Sequence, residues 1–383
     1  MTHLDRLLRL LGRGAAPEDN AAAERIESAR ASVHKWKTRA DEQTRRASES
    51  DARLADSQQA LREAKARAGS LYREVPSVDV IRGTFVHRLR TMRARLRAEG
   101  SSERKEREER LLQASPAYRA TFDAGPDSLR TVAEQIAVDG LAWWVPPGSG
   151  EQRLPFRGIL QTREVATGGI MLDLGANIGR MAIPRVVLGD VSAAYCAEPD
   201  PVNFACLART VVDNGLRGLV LPDQTAIGDR NGTVRLLREG SSGNFHVQPD
   251  GAGASASDSV EVPCCTLDTW VERLRIDLEA VTFVKVDVKG FERRVVAGAP
   301  RVLACRHIAW QMEIKPAGLR GAGDEPGALY ADLAQAFTHF IDLNRRASGK
   351  RVRPVAELGD ALAYVEPRGK TDVLLFAADG IPA

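Results

Sequence analysis

The chain has 383 residues, 43% of them hydrophobic and 27% charged, which is enough apolar surface for more than one domain and excludes wholesale disorder, collagen-like repeats and a disulfide-dense miniprotein. The net charge of +3 hides an asymmetry: residues 1–115 hold 25 Lys plus Arg against 18 Asp plus Glu, and the remainder is net negative by four. No segment approaches the roughly 20 consecutive apolar residues that span a bilayer, and Arg6, Arg9 and Arg13 break the start too often for a secretory apolar core. A cytoplasmic protein is expected. The five cysteines (Cys196, Cys206, Cys264, Cys265 and Cys305) are odd in number and contain no C-x-x-C pair, so reduced structural thiols and no metal site are expected.

From Ala22 to Leu71 small or apolar residues recur at alternating steps of four and three, including Ile26, Val33, Trp36, Leu54 and Leu61. That is a heptad seam flanked by Arg, Lys, Glu and Asp, and it predicts a long coiled-coil helix. A helix with so narrow an apolar stripe needs a partner helix, so a homo-oligomer is expected. Pro76 closes it. A second helical stretch from Val78 to about Gln113, interrupted at Gly100–Ser102, carries Ile81, Phe85, Leu89, Met92 and Leu96 on one side. Its Arg82, Arg88, Arg90, Arg93, Arg95 and Arg97 form a basic face. A solvated face and an anionic membrane or nucleic-acid surface are its alternatives; without aromatic interleaving, nucleic acid is the less favoured partner.

Residues 116–167 read as a linker with a helical piece near Leu129–Val138 and a short strand at Leu141–Val145. Beyond Gly168 short β-rich runs (Ile170–Leu174, Ser192–Glu198, Leu219–Leu221, Val281–Val288, His307–Ile314, Phe340–Leu343) alternate with helical ones, which predicts a mostly parallel sheet covered by helices. Gly240–Ser259, rich in Gly, Ser, Ala and Asp, reads as a mobile loop. The expected division is therefore an N-terminal segment 1–19, a coiled coil 20–75, a basic helical segment 76–115, a linker 116–167 and an α/β domain 168–383.

The first strand of that domain runs into Asp173-Leu174-Gly175-Ala176-Asn177-Ile178-Gly179. A strand, a glycine turn and a helix start can cradle a nucleotide, with Gly175 allowing close backbone approach and Gly179 tight helix packing. The next strand ends at Glu198, placed to accept from the two hydroxyls of a ribose, although Asp200 beside it is also a natural helix N-cap. A dinucleotide fingerprint needs a second close glycine, and no G-x-x-x-x-G-K-[ST] is present. A nucleoside without a phosphate chain is the ligand these features suit.

These residues resemble the class I S-adenosylmethionine methyltransferases, and more closely the FkbM family. Five blocks agree in order: Asp173–Gly179, Glu198–Asn203, Ala226–Asp229, Thr266–Asp268 and Lys285–Glu292, over about Gly168 to Asp342. The resemblance implies a Rossmann-like α/β domain with a mostly parallel seven-stranded sheet, preceded here by the coiled coil, and S-adenosylmethionine as cofactor. It further implies that Asp173, Gly175, Ala176 and Asn177 line the methionine part beside Gly179, that Glu198 holds the ribose, and that Asp229 faces the adenine amine; a turn-forming role is the rival for Asp229. Asp287, in the crevice beyond the strand ends, is the first candidate to bind or deprotonate an acceptor, with Glu292 and Glu313 behind it. Lys289 stands where the family usually has glutamate. An anionic acceptor, a changed acid–base partner and a surface change beside an intact site are its readings. His246 is either an acceptor contact or an ordinary loop histidine. The expected activity is O-methyl transfer to a hydroxyl of a sugar, glycan or other natural product. The alternative is a coiled-coil assembly protein with a catalytically weak methyltransferase fold, and a nicotinamide oxidoreductase stands third.

Overall fold

The computed structural model describes residues 78–98, 102–148, 154, 156–163, 166–239, 244–247, 259–344 and 352–377, together with residues 38, 42 and 45, which are helical. The expected heptad seam, and so the coiled coil, otherwise lies outside the described residues. Among the described residues no helix is long and apolar enough to cross a membrane.

The two halves of the predicted second helical stretch form α1 (Val78–Ala98) and α2 (Ser102–Ala114), followed by α3 (Pro116–Ala124). Ile81, Phe85 and Leu89, spaced one turn apart on one face, are buried, and Phe85 meets Phe156 of α4 (Phe156–Gln161) edge-on with ring centroids 5.4 Å apart. Part of the basic face is used within the chain. Arg82 pairs with Asp139 at 3.1 Å, and Arg93 donates to Gly140 O at 3.2 Å and to Asn214 Oδ1 at 2.5 Å.

Where a helix near Leu129–Val138 was expected, a 3-10 turn at Asp127–Leu129 leads into β1 (Glu134–Val138), paired antiparallel with β2 (Leu141–Val145). The reason is local: Asp139 and Gly140 both take positive φ, 51° and 84°, the Asp-Gly geometry of a tight hairpin. The hairpin is anchored by Trp144, which is fully buried and whose Nε1 donates to Asp213 at 2.8 Å.

The central sheet contains β3 (Ile170–Leu174), β4 (Ala193–Ala197), β5 (Val220–Asp223), β10 (Val281–Val286), β11 (Ala309–Ile314), β12 (His339–Asp342), β13 (Arg353–Pro354) and β14 (Thr371–Phe376), in the order β13-β12-β14-β11-β10-β3-β4-β5. β3, β4, β5, β10 and β11 pair in parallel, and their continuous apolar runs fit burial on both faces. The sheet is thus the expected α/β arrangement, but it has eight strands rather than seven and is mixed. The C-terminal strand β14 runs antiparallel between β11 and β12, and β13 pairs antiparallel at the edge. A second sheet of order β6-β9-β7-β8 is built from β6 (Ala226–Gly228), β7 (Gly232–Glu239), β8 (Asn244–Val247) and β9 (Ser259–Thr266).

The chain enters the central sheet at β3, moves outward through α5 (Ala182–Leu188) to β4 and through α6 (Pro201–Asp213) to β5, then returns to place β10 on the other side of β3. That reversal of strand order opens a crevice beyond the carboxyl ends of β3, β4 and β10.

Candidate functional site

The glycine turn after β3 is fixed by backbone demands. Gly175 takes φ +78° and its N–H donates to Ala197 O at 2.9 Å. A Cβ there would lie 2.0 Å from the carbonyl oxygen of Asp287, so only glycine lets the turn close onto the end of β10. Gly179, at φ +87°, faces Leu207 of α6, whose Cδ1 would be 2.4 Å from an added Cβ. Between them Ala176 is buried, while Asn177 is exposed in the left-handed region at φ 51°.

Glu198 follows β4 and is buried. Its Oε2 accepts the N–H of Asn177 at 2.7 Å and its Oε1 the N–H of Asp200 at 3.0 Å. Burial pushes its carboxyl up to about 7 against those two bonds. With the Asn203 side chain as a third donor, one of the roughly four acceptor sites of the carboxylate is left for a ribose hydroxyl. Asp200 is the N-cap of α6, accepting from Val202 and Asn203. Burial drives the carboxyl of Asp173 up, and the ammonium of Lys285 opposes this. A buried carboxylate with spare acceptor capacity beside a glycine cradle suits a cationic ligand group.

Asp287, just past β10, is held from both sides. Lys285 Nζ lies 3.3 Å from its Oδ2 and Lys289 Nζ 3.0 Å from its Oδ1. Burial raises this carboxyl, but the two ammonium groups together outweigh it and hold it well below the usual carboxylate range. Lys289, at φ 54°, also reaches Glu313 Oε1 at 3.6 Å, and Lys370 pairs with Glu313 Oε2. Glu292 opens α8 (Glu292–Ala297); its Oε1 accepts the N–H of Gly290 at 3.1 Å, its Oε2 is buried without a partner, and burial pushes its carboxyl up to about 7.

The structure therefore gathers Asp173, Gly175, Ala176, Asn177, Gly179, Glu198, Asp287, Lys289, Glu292 and Glu313 around the strand ends. It places two expected site residues elsewhere. Asp229 is exposed on the turn between β6 and β7 of the second sheet, whereas the residues that follow β5 beside Glu198 are Gln224 and Thr225; Gln224 Nε2 donates to Pro199 O at 3.4 Å. His246 lies in β8, paired with Leu237 of β7. The Thr266–Asp268 block is structural: Thr266 caps α7 (Leu267–Arg273), and Asp268 accepts the N–H groups of Arg301 and Val302. Among the described residues no cluster of three or more His, Cys, Asp or Glu is arranged to hold a metal.

Sequence reasoning assigned no role to Lys285, Lys370 or Arg185. A lone lysine in the apolar run Val281-Thr282-Phe283-Val284-Lys285-Val286 was a readable sign of a buried cation. Lys370 carried no such sign, because its neighbour Glu313 is 57 positions away. Arg185 is fully buried, stacks on Phe283 with 4.9 Å from its guanidinium carbon to the ring centroid, and has no hydrogen-bond partner for Nε or Nη1. Away from the strand ends, a groove of 930 Å³ opens between α1, α2 and the C-terminal end of α6, with Arg93, Glu108 and Arg217 in its wall.

Residues 173–345 match the family model described as the methyltransferase FkbM domain. Over these residues the chain is similar to the FkbM methyltransferases. A relative from Streptomyces tacrolimicus, the 31-O-demethyl-FK506 methyltransferase FkbM, is 28% identical over 201 residues, which are 44% of this chain and 76% of the relative. The crystal structure of methyltransferase FkbM from Methylobacillus flagellatus KT aligns at 15% identity and a TM-score of 0.34, over 55% of this chain and 44% of that one. The structure of M. jannaschii TYW2 in complex with AdoMet aligns at 8% identity and a TM-score of 0.30, over 64% of this chain and 85% of that one. The matched segment takes in the glycine turn, Glu198 and the Asp287 cluster, and leaves α1 to α3 and the hairpin outside it.

Proposed function

We propose that the chain is an S-adenosylmethionine-dependent O-methyltransferase acting on a hydroxyl of a sugar, glycan or other natural product. The observation that carries this is the pairing of a buried Asp173, whose carboxyl has no side-chain hydrogen bond, with Glu198 across one glycine turn. Asp173 and the turn Gly175–Asn177 would hold the cationic methionine end and Glu198 the ribose; when bound, S-adenosylmethionine supplies an electrophilic methyl group. Gln224 and Thr225, next along the strand ends, share with Asp229 the candidacy for the adenine side.

Within the acceptor region, Asp287 is too weak a base for general-base work because Lys285 and Lys289 hold it ionised. It serves instead to accept the hydrogen bond of the acceptor hydroxyl and orient its oxygen. Glu292, held near neutrality by burial, is the better matched proton acceptor, and Glu313 is committed to Lys289 and Lys370. The heptad seam of residues 22–71 would assemble the enzyme as a homo-oligomer, which light scattering on the full chain tests.

The experiment is incubation of the full chain with methyl-labelled S-adenosylmethionine and a panel of hydroxylated acceptors that includes 31-O-demethyl-FK506. A base-stable methyl ether on the acceptor is the expected product. Label on nitrogen, or tight binding of NAD in place of S-adenosylmethionine, would contradict the proposal.

A further inference from the structure

Five side chains at the carboxyl end of the sheet form one row of alternating charge. Lys285 is 3.3 Å from Asp287, Asp287 is 3.0 Å from Lys289, Lys289 is 3.6 Å from Glu313, and Glu313 pairs with Lys370. The row begins and ends in lysine, so three ammonium groups meet two carboxylates. Topology brings them together: β14 runs antiparallel to β11 with Thr371 opposite Ile314, which sets Lys370, the residue before β14, beside Glu313 near the end of β11.

Exposure along the row is graded. The side chain of Lys285 is 8% exposed, that of Lys289 39% and that of Lys370 56%, whereas Glu313 is 8% exposed. The carboxylate is turned inward and the two ammonium groups outward, so the rim of the crevice shows positive charge. An ammonium has three N–H donors. Lys370 gives one to Glu313, and Lys289 divides its own between Asp287 and Glu313. The remaining acids nearby do not cancel the rim. Asp372 accepts from Gln311 and Asn344, Glu292 is buried at the start of α8, and Asp173 lies at the buried end of the row, beside Lys285.

We propose that Lys289 and Lys370 form a binding site for an anionic group, a carboxylate or a phosphate, carried by the molecule whose hydroxyl is methylated. The inference rests on the methyltransferase assignment for the fate of that molecule, but the anion site itself does not depend on it. An anion bridging the two ammonium groups would neutralise the excess charge of the row and place the rest of the molecule over Asp287, where its hydroxyl is oriented.

The test is titration of the full chain with D-glucuronate, glucose 6-phosphate and neutral methyl glucoside, each with and without S-adenosylhomocysteine, whose own affinity is measured on the same samples. At least one anionic sugar should bind about tenfold or more tightly than the neutral one, as charge-assisted hydrogen bonds to two ammonium groups require; which one wins tells carboxylate from phosphate. Lys370→Gln should remove most of that preference and Lys370→Arg should keep it. Lys289→Gln should act like Lys370→Gln, but it alters the turn beside Asp287, so the exposed Lys370 carries the test. No preference for either anionic sugar, or a preference unchanged in Lys370→Gln, would overturn the proposal. Anion preference without S-adenosylhomocysteine binding would instead remove the methyltransferase assignment and leave the anion site standing.

Discussion

The carboxylate of Glu198, at the end of β4, accepts the backbone N–H of Asn177 at 2.7 Å and so ties the tip of one strand to the glycine turn of its neighbour. The same carboxylate that is suited to a ribose also shapes the glycine turn. Turn geometry and ligand affinity are therefore coupled at this point, and several outcomes follow from it.

Gly175→Ala should damage the site far more than Gly179→Ala. Both positions have positive φ, which costs a side-chain-bearing residue about 1–2 kcal/mol. At Gly175, however, the new methyl meets a backbone oxygen at 2.0 Å, whereas at Gly179 it meets the flexible ends of Leu207 and Ile183. Thermal melts and S-adenosylhomocysteine titration of the two variants should show near-complete loss of binding for Gly175→Ala and a partial loss for Gly179→Ala.

Stability and cofactor affinity should change with pH in opposite directions. Burial raises the carboxyls of Glu198 and Glu292 from an ordinary 4.5 to about 7. An acid with a raised folded-state pKa favours the protonated folded form, so the stability it contributes is present below 4.5 and is lost as pH climbs toward about 7. Melting temperature should fall across that window, and Glu292→Gln should flatten the fall. Ionised Glu198 is the better acceptor for ribose hydroxyls, so affinity should rise through the upper part of the same window. A melting temperature that rises from about pH 5 to about pH 7 would contradict this assignment.

Asp287 and Glu292 should separate kinetically. With a competent acceptor, Asp287→Asn should raise the acceptor KM while leaving S-adenosylhomocysteine affinity little changed. Glu292→Gln should lower kcat and remove the limb of the pH–rate profile near neutrality. If Asp287→Asn instead abolishes that limb, Asp287 is the base.

Arg185→Leu should destabilise the domain by about 3–5 kcal/mol, the range for removing one partner of a buried charge cluster. Burial lowers its guanidinium to about 10 against the pull of Asp190 and Asp173. Urea unfolding measures the loss, and a change below about 1 kcal/mol would show that those acids do not depend on it.

Much of the strand and turn framework around Asp173 and Glu198 was legible in the sequence, because each part is a local pattern. The apolar runs of β3, β4, β10 and β11 announce buried strands, and Gly175 and Gly179 mark the turn. The acceptor half was not. Glu313 and Lys370 meet only because β14 inserts antiparallel beside β11, a pairing that no local periodicity specifies. The helix expected at Leu129–Val138 failed on a signal that was present, since Asp139-Gly140 is a hairpin turn. The second sheet is hard to read because its strands are short. The basic face of α1 showed the limit of composition: at Arg82 and Arg93 the charge serves to bind α1 to the hairpin and to Asn214.

Calorimetric titration of S-adenosylhomocysteine into the full chain and into Glu198→Ala, with circular dichroism to confirm that both are folded, tests the central claim most directly. The parent should bind, and the variant should bind about tenfold or more weakly, the equivalent of the roughly 1.5–3 kcal/mol of a hydrogen bond to a charged group. A parent that does not bind, or a folded variant with unchanged affinity, would contradict a cofactor site at the ends of β3 and β4.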